Sequence, residues 1–544
     1  MTTRAWAPLI GGPAMREAMA FLEQHDDVDL APDHPLAARV ALALAQTGRL
    51  REAMVLAASL RTLDLELPAH ATGPEADAVA DLVGARIWVS WLEQHLDQVA
   101  VAVGRQLVSA DGAYPLDTQR RLMVLYSLAA GLMAGPDAGE PAVVADALEY
   151  LSSARSLAVM FGLTVLESAC YARMALLHVP AGDLGSAMRH ARAALEVPGG
   201  TTVNGAEEPT VFVRFVAHVV LQWARHYQGQ AMDPAVLDRI RAQTPRFAFD
   251  RVVSIVAGHV LATADLAGGD IRSARSRLHH ILAEPRFAEM GVWRYRPLVT
   301  DAYLASISGD EQRAHERVTD LTRAGAPGEA LLVRATHLLA LGENAAALAA
   351  LAPITGGQVR HTGLTFPVSC VMEAILLEQT GQHVLADQSM RRAIGAAEPS
   401  GALRLFAMHD PAAVAVLVER AVAARPHDRW ARQVLDFVRA RLADPAALAP
   451  LVVQGPEPVA VTEPLDRIAA AVSDPTPSPL TERERQVLAM VNAGASQAQM
   501  ARELYVSLNT IKTHLRSIRQ KLGVERTGEA AAVARGAGWL DEPS

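Results

Sequence analysis

Apolar residues recur at three- and four-residue intervals from Pro13 to roughly Leu442, and almost nothing alternates with period two. That pattern predicts a succession of amphipathic α-helices and no sheet. Glycine marks the breaks. A Gly followed five residues later by Ala occurs at Gly48/Ala53, Gly182/Ala187, Gly269/Ala274, Gly309/Ala314, Gly342/Ala347 and Gly381/Ala386. Each pair sits where one apolar run ends and a second amphipathic run begins. Gly can take the left-handed C-cap there, and the small Ala lets two antiparallel helices approach closely. The last four of these glycines are 40, 33 and 39 residues apart, the length of a helical-hairpin repeat unit. Between Gly48 and Gly182 the signal is missing, and further hairpins are expected to fill the interval.

Stretches such as AARVALALAQTGRLREAMVLAASL, residues 37–60, resemble tetratricopeptide repeats, although the full aromatic signature is absent. After Ala443 the texture changes. Pro445, Pro450, Pro456, Pro458, Pro464, Pro475, Pro477 and Pro479 break the chain into an extended linker, with one short helix expected at Leu465–Val472. Three parts follow: a helical-repeat body over 1–442, a Pro-rich linker over 443–479, and a C-terminal domain over 480–544.

The C-terminal domain reads as a helix-turn-helix. Thr481-Glu482-Arg483-Glu484 is a capping box, Val487, Leu488 and Val491 form an apolar stripe, and Gly494 closes the first helix. Ser496 can cap a second helix whose Met500, Ala501 and Leu504 face inward, and Ser507 can cap a third that Gly523 stops. On that third helix Ile511, Leu515, Ile518 and Leu522 form one buried face, while Lys512, Arg516 and Arg519 lie on a neighbouring face beside Thr513. A helix of about fifteen residues is ~22 Å long and can lie in a major groove. Lys and Arg donate to guanine O6 and N7, and Thr offers a hydroxyl and a methyl group. Ser507, Asn509 and Thr510, at the positive end of the helix, are placed for phosphate.

Composition sharpens this division. Half the residues are hydrophobic (51 %) but only 5 % are aromatic, so the core rests on Ala, Leu and Val. Residues 480–544 hold nine Lys+Arg against seven Asp+Glu, a net of +2; the remainder holds 41 against 52, a net of −11. An acidic body with a mildly basic end fits a chain that meets nucleic acid only at its end. The two lysines of the whole chain, Lys512 and Lys521, both fall there.

These residues together resemble the LuxR-type (NarL/FixJ) helix-turn-helix domain. Leu480, Thr481, Arg483, Glu484, Val487, Leu488, Gly494, Ala501, Leu504, Ser507, Thr510, Lys512, His514, Leu515, Ile518, Lys521, Leu522, Gly523 and Val524 match its pattern. The resemblance implies that Lys512, Thr513 and Arg516 contact bases. It implies that Ser507, Asn509, Thr510, His514, Arg519 and Lys521 serve the backbone. It also implies a fourth helix near residues 528–536 that forms a homodimer contact, with RNA polymerase a further candidate partner. Met500 stands where Ile is usual, and Arg526-Thr527-Gly528 replaces Ser-Arg-Thr, which weakens the cap of that fourth helix. The large ATP-dependent LuxR regulators join a nucleotide-binding module, a helical-repeat region and this DNA-binding end; the chain resembles the last two parts.

With no lysine before Lys512, a P-loop, a protein kinase, a Schiff-base enzyme and an ordinary phosphoryl-receiver domain are excluded from the body. The body contains no H-E-x-x-H, no G-x-S-x-G and no cysteine pair with zinc spacing. No catalytic residue, metal or cofactor is expected, and the chain is read as a non-enzyme. Cys170 and Cys370 read as buried thiols, His279-His280 as a helix-end pair, and His25, Asp26, Asp27 and Asp29 as a solvated loop. Trp293, Arg294, Tyr295 and Arg296 put aromatic and cationic groups together and are candidate effector-site residues. The N-terminus lacks a basic-then-apolar signal design, and no apolar run reaches a membrane span, so a soluble cytoplasmic protein is expected.

The expected fold is all-α, a tetratricopeptide-like solenoid followed by a four-helix LuxR-type domain. The expected function is sequence-specific transcriptional regulation on double-stranded DNA. The body would bind a peptide, protein or small-molecule effector. The alternative is a helical scaffold or adaptor whose DNA-binding end is degenerate or used only for docking.

Overall fold

A computed structural model describes residues 13–443 except 26–27, 29, 47–48, 69, 94–95, 110–113, 198–209, 249 and 285–286. It also describes 482–492, 499–500, 511, 515 and 518–519. The chain divides into two units, Met1–Pro456 and Glu457–Ser544. Regular structure among the described residues is entirely helical. No helix among them is long and apolar enough to cross a membrane. The expected helix at 465–472 lies outside the described residues.

The first unit is a run of antiparallel hairpins, and one turn design recurs in it. Gly182, Gly269, Gly309, Gly342 and Gly381 all have positive φ, from +68° to +82°. In each turn the next residue donates its N–H to the carbonyl five positions back: Asp183 to His178, Asp270 to Asp265, Asp310 to Ala305, Glu343 to Leu338 and Gln382 to Leu377. That is the Schellman closure, which satisfies the orphan carbonyls of the helix just ended. Where the next residue is Asp it also starts the following helix. Asp183, Asp270 and Asp310 accept from the backbone N–H groups of Ser186, Ser273 and Arg313 at 2.9, 3.0 and 3.1 Å. Gly48 lies outside the described residues, between helices Ala37–Gln46 and Leu50–Leu60. The six partner alanines, Ala53, Ala187, Ala274, Ala314, Ala347 and Ala386, are each fully buried at the hairpin crossing.

Helices Gly73–Glu93, Gln98–Val108, Thr118–Ala134 and Pro141–Met160 fill the interval without the glycine signal. Here Gly works inside helices. A Cβ on Gly131 would lie 2.8 Å from Ile87, and one on Gly104 would lie 3.1 Å from Leu128 and Val83. The close approach that Ala provides elsewhere is provided here by Gly at the crossing itself.

A simple repeat array has each unit touching only its neighbours. This body curls until distant hairpins meet. Trp293 Nε1 donates to the Met133 carbonyl at 2.7 Å across 160 residues, and Arg360 pairs with Glu140 across 220. The turn that carries Trp293 needs Gly291 at φ +48°, because a Cβ there would lie 2.7 Å from the Pro136 carbonyl.

Buried ion pairs add to this closure, all made by arginine. Arg173 meets Asp250 at 2.7 Å with both side chains buried. Asp301, also buried, accepts from Arg313 at 2.6 Å and Arg317 at 2.8 Å. The guanidinium's planar fork suits such two-point contacts, which an ammonium could not match. Cys170 and Cys370 are buried free thiols. Burial pushes Cys370 up to about 12 and Cys170 higher still, so neither is a thiolate near neutral pH.

Candidate functional site

The body holds a partly open cavity of about 80 Å³ between helices Thr210–Tyr227, Arg251–Ala267, Tyr295–Ile307, Pro327–Ala340 and Thr365–Gln379 and the turn Leu403–Ala407. Its apolar walls are Leu266, Val299, Leu332, Val333, Val368 and Met408, and its polar lining is His226, Tyr227, Tyr303, His409, Arg296 and three threonines. No carboxylate is among the lining residues.

The threonines are already engaged. Thr263 and Thr336 bond back to the carbonyls of His259 and Leu332 at 2.7 and 2.9 Å, and Thr300 meets His259 Nε2 at 2.9 Å. The cationic groups are not matched in this way. Arg296 reaches Thr362 Oγ1 at 3.4 Å and lies 5.9 Å from the centre of the Tyr227 ring, but its Nε has no hydrogen-bond partner among the described residues. Neither the buried His409 Nδ1 nor the Nε of Arg404, next to the lining residue Leu405, has such a partner. Burial pulls His409 down to about 4, so it is neutral near pH 7. Burial, then the neighbouring Arg441, lowers Arg404 to about 10, which still leaves it charged at neutral pH.

The four aromatic and basic residues at 293–296 do not converge. Trp293 turns inward onto Met133. Arg294 donates to the Ala288 carbonyl, and Tyr295 OH donates to the Ala324 carbonyl at 3.0 Å. Of the four, Arg296 lines the cavity. His226, Tyr227, Tyr303, Arg404 and His409 were not singled out by the sequence, because they come from segments up to 183 positions apart and follow no local spacing. His279 and His280 end helix Ile271–Leu282, and no cluster of metal-binding type occurs among the described residues. His25 is exposed and stacks on Phe21 at 4.2 Å, while Asp26, Asp27 and Asp29 lie outside the described residues.

The second unit has a describable core. Helix Glu482–Asn492 buries Val487 and Leu488 completely. Met500, Ile511, Leu515 and Ile518 are buried as well. Ile511, Leu515 and Ile518 are helical at offsets of four and three, so one face of this helix is interior, as the periodicity predicts. Arg519, one residue past that face, is half-buried, and its Nε donates to the Leu515 carbonyl at 3.4 Å. Lys512, Thr513, Arg516, Ser507, Asn509, Thr510, His514 and Lys521 lie outside the described residues, as do Thr481, Gly494 and Ser496.

Residues 478–534 match the family described as bacterial regulatory proteins, luxR family. The C-terminal segment is a LuxR-family helix-turn-helix domain. Over 58 residues it is 52 % identical to the HTH-type transcriptional regulator MalT of Yersinia pestis (strain Pestoides F) and to that of Serratia proteamaculans (strain 568). In both cases the match covers 11 % of this chain and 6 % of the relative, so it spans only the LuxR-family segment. Among solved structures, a Rap protein complexed with competence and sporulation factor superposes with a TM-score of 0.44 at 11 % identity, over 67 % of this chain and 97 % of that one. The APC/C hetero-tetramer Cut9-Hcn1 superposes with a TM-score of 0.29 at 10 % identity, over 78 % and 92 %. Both superpositions are too loose to carry an argument. The body's architecture rests on its own hairpins.

Proposed function

We propose that this protein is a transcriptional regulator that reads double-stranded DNA with its LuxR-family domain and uses its helical-repeat body to sense a ligand or a protein partner. The observation that carries the reading is the family match over 478–534, together with the buried Ile511-Leu515-Ile518 face. On a helix with that face turned inward, Lys512 and Arg516 would follow Ile511 and Leu515 by about 100° and Thr513 would fall roughly opposite the buried face, so that all three share the outer side, where side chains can reach base edges. Ser507, Asn509, Thr510, His514, Arg519 and Lys521 are assigned to the sugar-phosphate backbone, which fixes register without reading sequence. The domain would act as a homodimer on paired half-sites, with RNA polymerase as a downstream partner. Binding to the body would shift the population of DNA-competent chains, without chemistry.

The test is selection of duplexes from a random pool by the full chain. The expected result is an enriched motif with two related half-sites, lost in the Lys512→Ala/Arg516→Ala double variant. A pool that stays random, or a motif that survives the double variant, contradicts the assignment.

A further inference from the structure

The cavity in the body has apolar walls and carries charge of one sign. Arg296 lines it, Arg404 stands beside it, and the nitrogen atoms named above lack hydrogen-bond partners among the described residues. Arg404 is only 5 % exposed. Holding a guanidinium in such a place without a counter-ion costs several kcal/mol. Elsewhere in this body the buried Arg173 and Arg86 meet carboxylates, those of Asp250 and Asp97. The cavity departs from that habit.

Its remaining polar groups point to the same ligand chemistry. The threonine hydroxyls are spent on internal bonds, and the two guanidinium groups with an unpartnered Nε, Arg296 and Arg404, can only donate. An anion satisfies them, and a neutral acceptor only in part. The aliphatic walls set by Val299, Leu332 and Val333 want hydrocarbon in the rest of the ligand. A dianion or a sugar would leave polar groups against those walls.

We propose that this cavity binds a small monocarboxylate with an apolar body, its carboxylate received by Arg296 and its hydrocarbon laid against Val299, Leu332 and Val333. The proposal names the ligand class for the sensing body and rests on that part of the proposed function. Binding is therefore read first without DNA.

The experiment is calorimetric titration and thermal melting of the full chain with propanoate, butanoate and 2-methylpropanoate, sized to the small cavity, and with butan-1-ol and butylamine as uncharged and cationic controls. At least one acid is expected to raise the Tm and to bind about tenfold or more tightly than butan-1-ol, with butylamine not binding. Arg296→Gln should weaken that acid about tenfold or more. Val299→Phe fills the cavity and should abolish binding while the chain still melts cooperatively, which keeps the test decisive if Arg296→Gln fails to fold. Three outcomes overturn the proposal: no acid binds at about 1 mM, butan-1-ol binds as tightly as butanoate, or binding survives Val299→Phe. A second arm adds selected duplex DNA. An acid that binds but leaves DNA affinity unchanged supports the site and overturns the coupling.

Discussion

His409 and His259 are buried in the body as neutral imidazoles, with folded pKa values of about 4 and about 3. Burial is the first cause in both, and Arg296 adds to it at His259. An unfolded histidine titrates near ~6.5. Below that pH the unfolded chain therefore binds more protons than the folded one, and stability must fall. The contribution is fully present above about 6.5 and is lost as pH drops towards the folded values, with no further loss beneath them. The urea midpoint of the body is expected to decline from pH 7 to pH 4, and His409→Asn should flatten that decline. An unchanged slope would show that His409 is not buried as described. Trp293 gives a second residue-scale outcome. Trp293→Phe keeps a buried ring but orphans the Met133 carbonyl and should cost ~1–3 kcal/mol. Trp293→Ala should cost ~3–5 kcal/mol. A smaller loss for alanine than for phenylalanine in urea melts would mean the contact across 160 residues does not hold the curl.

At the scale of the element, the hairpins were legible wherever a turn and a crossing each left a mark at fixed spacing. Gly at the left-handed cap and Ala five residues on are local signals of that kind, and five turns share one hydrogen-bond closure. The hairpins between Gly48 and Gly182 gave no such signal, because Gly104 and Gly131 do their work inside helices, where only the neighbour they meet gives them meaning. The curl was not legible at all: nothing near Trp293 in sequence announces Met133. The apolar stripe of the C-terminal domain was legible through its helical period, whereas the cavity was not, since its lining converges from five helices and a turn. The crossing alanines are directly testable. Ala274→Leu, Ala314→Leu and Ala347→Leu should each cost ~1–3 kcal/mol through overpacking. Exposed Ala346→Leu should stay within ~0.5 kcal/mol of the parent protein in urea titrations. Equal effects at positions 346 and 347 would remove the crossings from this description.

At the scale of the whole molecule, charge separates the parts: a net of −11 outside residues 480–544 and +2 within them. Under the proposed function an acidic body would repel DNA, so affinity should come from the C-terminal domain and should depend on salt. On the proposed assignment Lys521 meets a phosphate, and Lys521→Ala removes that contact. It should weaken binding to every sequence alike and reduce the slope of log affinity against log salt by about 1. Lys512→Ala with Arg516→Ala should instead erase the difference between sequences, because base contacts carry the specificity. The most direct measurement is the affinity of the full chain for its selected duplex and for a scrambled duplex across a salt series, in the parent protein and the Lys512→Ala/Arg516→Ala variant. A sequence-reading regulator binds the selected duplex about a thousandfold or more tightly than the scrambled one, and the variant loses that ratio while keeping weak, salt-sensitive binding. Equal affinity for both duplexes in the parent protein at every salt concentration would contradict it.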